Sequence, residues 1–155
     1  MKWLIRLATH GVALALGFAL GIYYLPILTA PDGPTEAQVQ SAVSAAQYTA
    51  EVRRDLADSD ALHWGEGTLF VDSNVITFEG ELAPGPDYRL YLSPKFVETE
   101  AEFGQLKSQM IEVGAVNTFE NFMVSVPDGV DPTQYSAAIV WCEAFGQFIT
   151  AGEYQ

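Results

Sequence analysis

One cysteine, Cys142, is all the chain contains, so no disulfide can close within it and the fold must be held by its core. Histidine is almost as scarce. His10 and His63 are the only two, which leaves no zinc-type spacing and no evident catalytic triad. No Cys-x-x-Cys-His stretch occurs, so haem attached through paired thioethers is excluded. The acidic turns Asp72-Ser73-Asn74 and Asp128-Gly129-Val130-Asp131 lack the EF-hand pattern and read as turn chemistry. No nucleophile elbow is visible, so an independent enzyme is not expected. Basic residues are few as well, 7 Lys+Arg against 20 Asp+Glu. All 20 acids follow Ala30, where only Arg53, Arg54, Arg89, Lys95 and Lys107 oppose them, a formal balance of −15. That field repels phosphate backbones, which argues against nucleic acid as a partner. It repels anionic lipid headgroups too, and should hold the segment off a bilayer surface. Cations or basic proteins would be favoured, and solubility alone also accounts for the charge.

What the chain does have is one long apolar run. From Leu7 to Leu28, 22 residues carry no formal charge. As a helix this run is about 33 Å long, enough for a hydrocarbon core of about 30 Å. Lys2 and Arg6 precede it, while Tyr23, Tyr24 and Pro26 lie near its far end, where interfacial aromatics and a tolerated proline belong. The pattern predicts a cytoplasmic N-terminus over residues 1–6 and an uncleaved signal-anchor over 7–28. The rest of the chain would then lie in the periplasm of a bacterium, anchored to the inner membrane. A cleaved signal peptide is the rival reading. Leu28-Thr29-Ala30 resembles a cleavage site, but Pro31 would follow the cut.

Residues 31–59 read as a linker and a juxtamembrane helical stalk. Pro31 to Thr35 is a breaker stretch, and Thr35 with Gln38 has capping-box form. The alanine-rich segment that follows has neither glycine nor proline and predicts a helix from Glu36 to about Leu56. Its stripe of Val39, Val43, Ala46 and Ala50 could pair with a second copy, dock on the domain, or belong to a semi-rigid spacer. Residues 60–155 change texture. GTLFVD, VITFEGEL, YRLYLS, MIEVGAV, NFMVSVP, SAAIVWC and QFITAG are short apolar-alternating runs with turn residues between them, and a short polar helix fits Glu98 to Leu106. The expectation is an all-β sandwich or barrel-like exterior domain behind the membrane helix and stalk.

In SAAIVWC, Ala138, Val140 and Cys142 share one face, and Ala137, Ile139 and Trp141 the other. Both faces are apolar, so the strand should be covered on each side and Cys142 nearly buried. Thiol chemistry needs the thiolate, about 3 % of a free cysteine at neutral pH. The local sequence offers no cation to raise that fraction. The residues alone therefore favour an inert thiol.

Three stretches in order, GEGTLFV, PGPDYRLYLSP and YSAAIVWCEAFGQFITA, together with NTFENFMVSVP, resemble the DM-thirteen domain family. The likeness runs from about Trp64 to Tyr154. Gly65 and Gly67, the Gly85-Pro86-Asp87 step into Leu92-Ser93, and Trp141-Cys142 with Phe145 carry it. Tyr88 departs from the aliphatic residue that usually follows the aspartate, and glycine is sparse around Asn117. The resemblance implies an electron-transfer or thiol-redox role centred on Cys142, with Trp141 as its packing neighbour. The thiol would act either bare or as an attachment for a prosthetic group such as haem, in company with another redox membrane protein. For haem, His63 is the exterior candidate ligand, with Met110, Met123, Cys142 and the tyrosines behind it. The alternative is a non-catalytic binding or adhesion module in which Cys142 fills the core.

Overall fold

A computed structural model describes residues 1–155. Helix α1, Lys2–Thr29, is long and apolar enough to cross a membrane. None of its residues is buried; only Ile22 and Pro26, one turn apart near its end, are partly covered, and Ala30 continues that line. The capping box starts α2, Glu36–Ala45. The Thr35 N–H donates to Gln38 Oε1 at 2.9 Å, and the Gln38 N–H donates to Thr35 Oγ1 at 3.4 Å.

Beyond that point the chain departs from the expected helix. α2 stops at Ala45, and Tyr48–Val52 forms strand β1 instead. β1 pairs antiparallel with β2, Gly65–Val71, from Tyr48↔Val71 to Val52↔Gly67. This pairing buries Ala50 and Val52, a gain that an isolated helix over the same residues lacks, and it overrides their local propensity. α2 is not a spacer either. Val39 and Ala42 are buried, with α2 lying across β3, Val75–Leu82.

The remaining strands are β4 Tyr88–Ser93, β5 Ile111–Val116, β6 Phe122–Ser125, β7 Ala137–Cys142 and β8 Gln147–Glu153. They build two four-stranded antiparallel sheets, ordered β1-β2-β3-β6 and β5-β4-β7-β8. The β1 edge approaches β8 and the β5 edge approaches β6, so the sandwich is nearly closed. Helix α3, Glu100–Leu106, stands where a short polar helix is expected, capped by Thr99. The C-terminal part is thus the expected all-β sandwich of eight strands, preceded by a long apolar helix.

Two apolar clusters hold it. Nineteen buried residues fill the space between the sheets, Phe78, Leu90, Val140 and Ile149 among them. Each such side chain contributes roughly 1.5–3 kcal/mol on burial, which is how a chain without a disulfide holds together. A second cluster of 8 buried residues lies on the outer side of the second sheet, under α3. At one crossing the backbones come closer than side chains allow. Gly67 pairs with Gly80, and a Cβ on Gly67 would stand 2.3 Å from the Glu79 carbonyl oxygen.

Candidate functional site

β7 sits between β4 and β8 and is buried along its whole length. Its two faces separate as the alternation predicts. Ala138, Val140 and Cys142 belong to the cluster between the sheets, while Ile139 and Trp141 belong to the outer one. Cys142 is 2 % exposed and ends the strand. Its thiol donates to the Pro86 carbonyl oxygen, with Sγ 3.1 Å away. Burial pushes the thiol pKa up. The N–H groups of Phe145 and Ala144, in the turn that follows, pull it down without reversing the shift, and Asp87 and Glu143 add to the rise.

The partner loop is built by Gly85-Pro86-Asp87. Gly85 is required because the Tyr88 hydroxyl lies 2.4 Å from where its Cβ would be. Asp87 is the one non-glycine residue with positive φ, at 53°. Its carboxylate accepts from Arg89 Nε at 2.9 Å and Nη2 at 2.8 Å. Its carbonyl oxygen accepts from the Glu143 N–H, which ties this loop to the turn after Cys142. Tyr88, the family departure, is directly opposite Cys142 in the β4–β7 ladder. Its buried hydroxyl donates to the Ala83 carbonyl oxygen at 2.9 Å, and burial raises its pKa above the usual tyrosine value.

Cys142 is covered but not sealed. It borders a cavity of about 490 Å³ that it shares with His63, Leu62, Phe145 and, from α1, Leu20 and Tyr23. Ten of the 14 lining residues are hydrophobic, so whatever enters is apolar over most of its surface. The structure therefore brings together two of the residues singled out from sequence, Cys142 and His63. Asp60 accepts from the Leu62 and His63 N–H groups at 2.7 and 2.8 Å, and its other oxygen lies 3.1 Å from His63 Nδ1. The Leu62 N–H bond, then the His63 ring, hold the Asp60 carboxyl below its usual range. Engagement of Nδ1 leaves Nε2 as the free ring nitrogen.

Trp141 faces away from the cavity. Its ring stacks on Phe103 of α3 with centroids 3.9 Å apart and planes 8° from parallel. Lys107 Nζ lies 5.9 Å from the Trp141 ring centroid and forms an ion pair with Glu143 at 2.6 Å. Tyr91 also donates to Glu143. Burial alone would raise the Glu143 carboxyl, but the Lys107 and Tyr91 hydrogen bonds outweigh it and hold the group below its usual value. Sequence reasoning missed this lid, because Tyr91, Lys107 and Glu143 are far apart in the chain.

The donor set sets terms for haem. Met110 packs on the outer cluster and Met123 lies on β6, and neither borders the cavity. Cys142 holds its proton more tightly than a free thiol, the reverse of what a thiolate ligand needs. His63, steadied by Asp60, is the group that fits an axial role. No cluster of three or more His, Cys, Asp and Glu could hold a bare metal ion.

No curated protein and no solved structure matches the chain. A family model described as electron transfer DM13 matches residues 56–154, from just after β1 to the residue beyond β8. This stretch is well over half of the 155 residues and takes in Cys142, His63 and the Gly85-Pro86-Asp87 loop, so the chain belongs to the electron transfer DM13 family.

Proposed function

We propose that this protein is a membrane-anchored electron-transfer or thiol-redox module whose working atom is the sulfur of Cys142. The observation that carries the reading is the apolar cavity against that sulfur: a thiol serving only as filler needs no void beside it. The chemistry is constrained by the raised pKa. Thiolate is scarcer here than on a free cysteine, so exchange with water-borne disulfides is slow, and a partner that enters the cavity is favoured. In exchange with a partner disulfide, the Cys142 sulfur bonds to one partner sulfur as the S–S bond breaks. The thiol proton goes to solvent, and the displaced sulfur leaves with the electron pair as a thiolate. Haem, if bound, would supply one-electron chemistry and would be held by His63, with Asp60 orienting the ring.

A placement for the module is supported by the charges at the start of α1. Lys2 and Arg6 at its start favour an N-terminus in the cytoplasm and a sandwich on the extracytoplasmic side, the periplasmic face of a bacterial inner membrane. A topology reporter fused after Gln155 should respond outside the cytoplasm; a cytosolic response overturns the placement.

The redox reading is tested on the full chain in detergent. Cys142 in the folded wild type should react with a small maleimide more slowly than in denaturant but completely, and faster as pH rises. A Soret band lost in His63→Ala would assign haem. A thiol unreactive for as long as the fold persists, with no absorption band, would sink the proposal and leave a binding or adhesion module.

A further inference from the structure

We infer that the Cys142 end of the sandwich is seated in the outer interface of the bilayer that α1 crosses, so that the cavity beside the thiol opens to lipid rather than to water. The inference rests on the proposed membrane span and deepens the redox reading by naming the medium from which the site is reached.

Four observations lead there. After α1, only two large hydrophobic side chains are exposed, Leu62 at 58 % and Phe145 at 55 %. They come from different loops, yet both border the cavity of Cys142. A soluble sandwich has no use for two bare apolar side chains at one end, and their pairing there marks a surface that something covers. The opposite wall of the same cavity is α1 itself, from Leu16 to Tyr23. Tyr23, at the near end of that stretch, lies about 8 Å inside the Leu28 end of the apolar run at 1.5 Å per residue, within the roughly 5–10 Å to which interfacial apolar groups sink.

Helix length gives the depth. The 28 residues of α1 make about 42 Å, some 12 Å more than a hydrocarbon core needs. Lys2 to Arg6 take up about 7 Å of that surplus on the cytoplasmic side, and the rest is at the C-terminal end, where Ile22, Pro26 and Ala30 turn one line of the chain toward the domain. Tyr23 and Tyr24 then fall at the interface, their usual station, and the last turns of α1 run beside the sandwich above it.

Charge does not forbid the contact. The −15 balance of the exterior part argues for repulsion from a bilayer, and Glu66, Glu81 and Glu120 at this end of the first sheet have no basic partner, but the acids that flank the cavity itself are engaged. Asp87 is paired with Arg89 at 2.8 Å, Glu143 with Lys107 at 2.6 Å, and Asp60 is bonded to His63. The free acidic turn Asp128-Gly129 follows β6 at the opposite end, beside the β3 start.

The test uses the full chain in phosphatidylcholine vesicles. Leu62→Cys, Phe145→Cys, Asp128→Cys and Leu14→Cys are made singly on a Cys142→Ser background. Each carries an environment-sensitive fluorophore. Lipids with brominated acyl chains should quench the labels at 62, 145 and 14, while aqueous iodide should quench the label at 128 several-fold more. If 62 and 145 follow 128 while 14 stays lipid-quenched, the seating is wrong and the span stands. If 14 is itself open to iodide, span and seating both fall. The unmodified wild type gives a second measurement free of mutation. A maleimide tethered to an acyl chain should outpace a sulfonated one at Cys142 several-fold beyond their ratio on free cysteine in detergent, and an unchanged ratio overturns the opening to lipid.

Discussion

Cys142 and Trp141 are neighbours in the chain and face opposite ways into different surroundings. The Cys142 side looks into the space between two sheets, where strands fixed on both sides leave little room to relax. The Trp141 side looks under one short helix, and its rim is ionic: Lys107, Glu143 and Tyr91 close over the Phe103–Trp141 stack. One strand thus carries a stiff face and a pliant one. The thiol is on the stiff face, at the strand's last residue, where packing gives way to a cavity.

That contrast can be broken by substitution. Leu90→Ala, on the stiff face opposite Val140, should cost about 4 kcal/mol in denaturant titration, because neither sheet can fall into the hole. Phe103→Ala should cost less, about 3 kcal/mol, since α3 can settle onto the sheet, and the Trp141 emission should shift to the red. A larger loss for Phe103→Ala than for Leu90→Ala would reverse the assignment of stiff and pliant.

Smaller effects probe the rim. Glu143→Gln should cost about 1 kcal/mol at neutral pH, a modest figure because the Lys107 partner is exposed at 43 %. The folded-state pKa of Glu143 is depressed, so its contribution is present above the unfolded carboxyl pKa and is lost as pH falls through the folded value. The wild-type advantage over Glu143→Gln should therefore vanish on acidification; a gap constant in pH would mean that the ion pair contributes nothing. Cys142→Ser should cost least, under about 1 kcal/mol, because the hydroxyl can still donate to the Pro86 carbonyl oxygen. Its thiol reactivity should be gone while the melting curve barely moves. A large loss of stability would instead mark the sulfur as core filler.

Much of this was legible beforehand where the signal is local. The alternation Ala138-Ile139-Val140-Trp141 is read directly, because side chains on a strand alternate whatever the strand packs against. Thr35 and Gln38 announce their cap within one turn of helix. β1 was not legible. Tyr48–Val52 follows ten residues of true helix without a breaker, and only Val71 to Gly67, some twenty residues on, makes it a strand. Of the site, His63 and Cys142 could be named but not joined, since they are 79 positions apart and meet only where two loops and α1 converge.

By itself the sequence determined the apolar helix, the strand periodicity, the absence of disulfides and the family. Each of these depends on residue type and near-neighbour spacing. The tertiary structure decided that the expected stalk would enter the sheet, that Trp141 would serve α3 while Cys142 met a cavity, and that Lys107 would find Glu143. These outcomes depend on burial and pairing between distant segments. Such free energies exist only once the chain has closed on itself, so no short window of residues contains them.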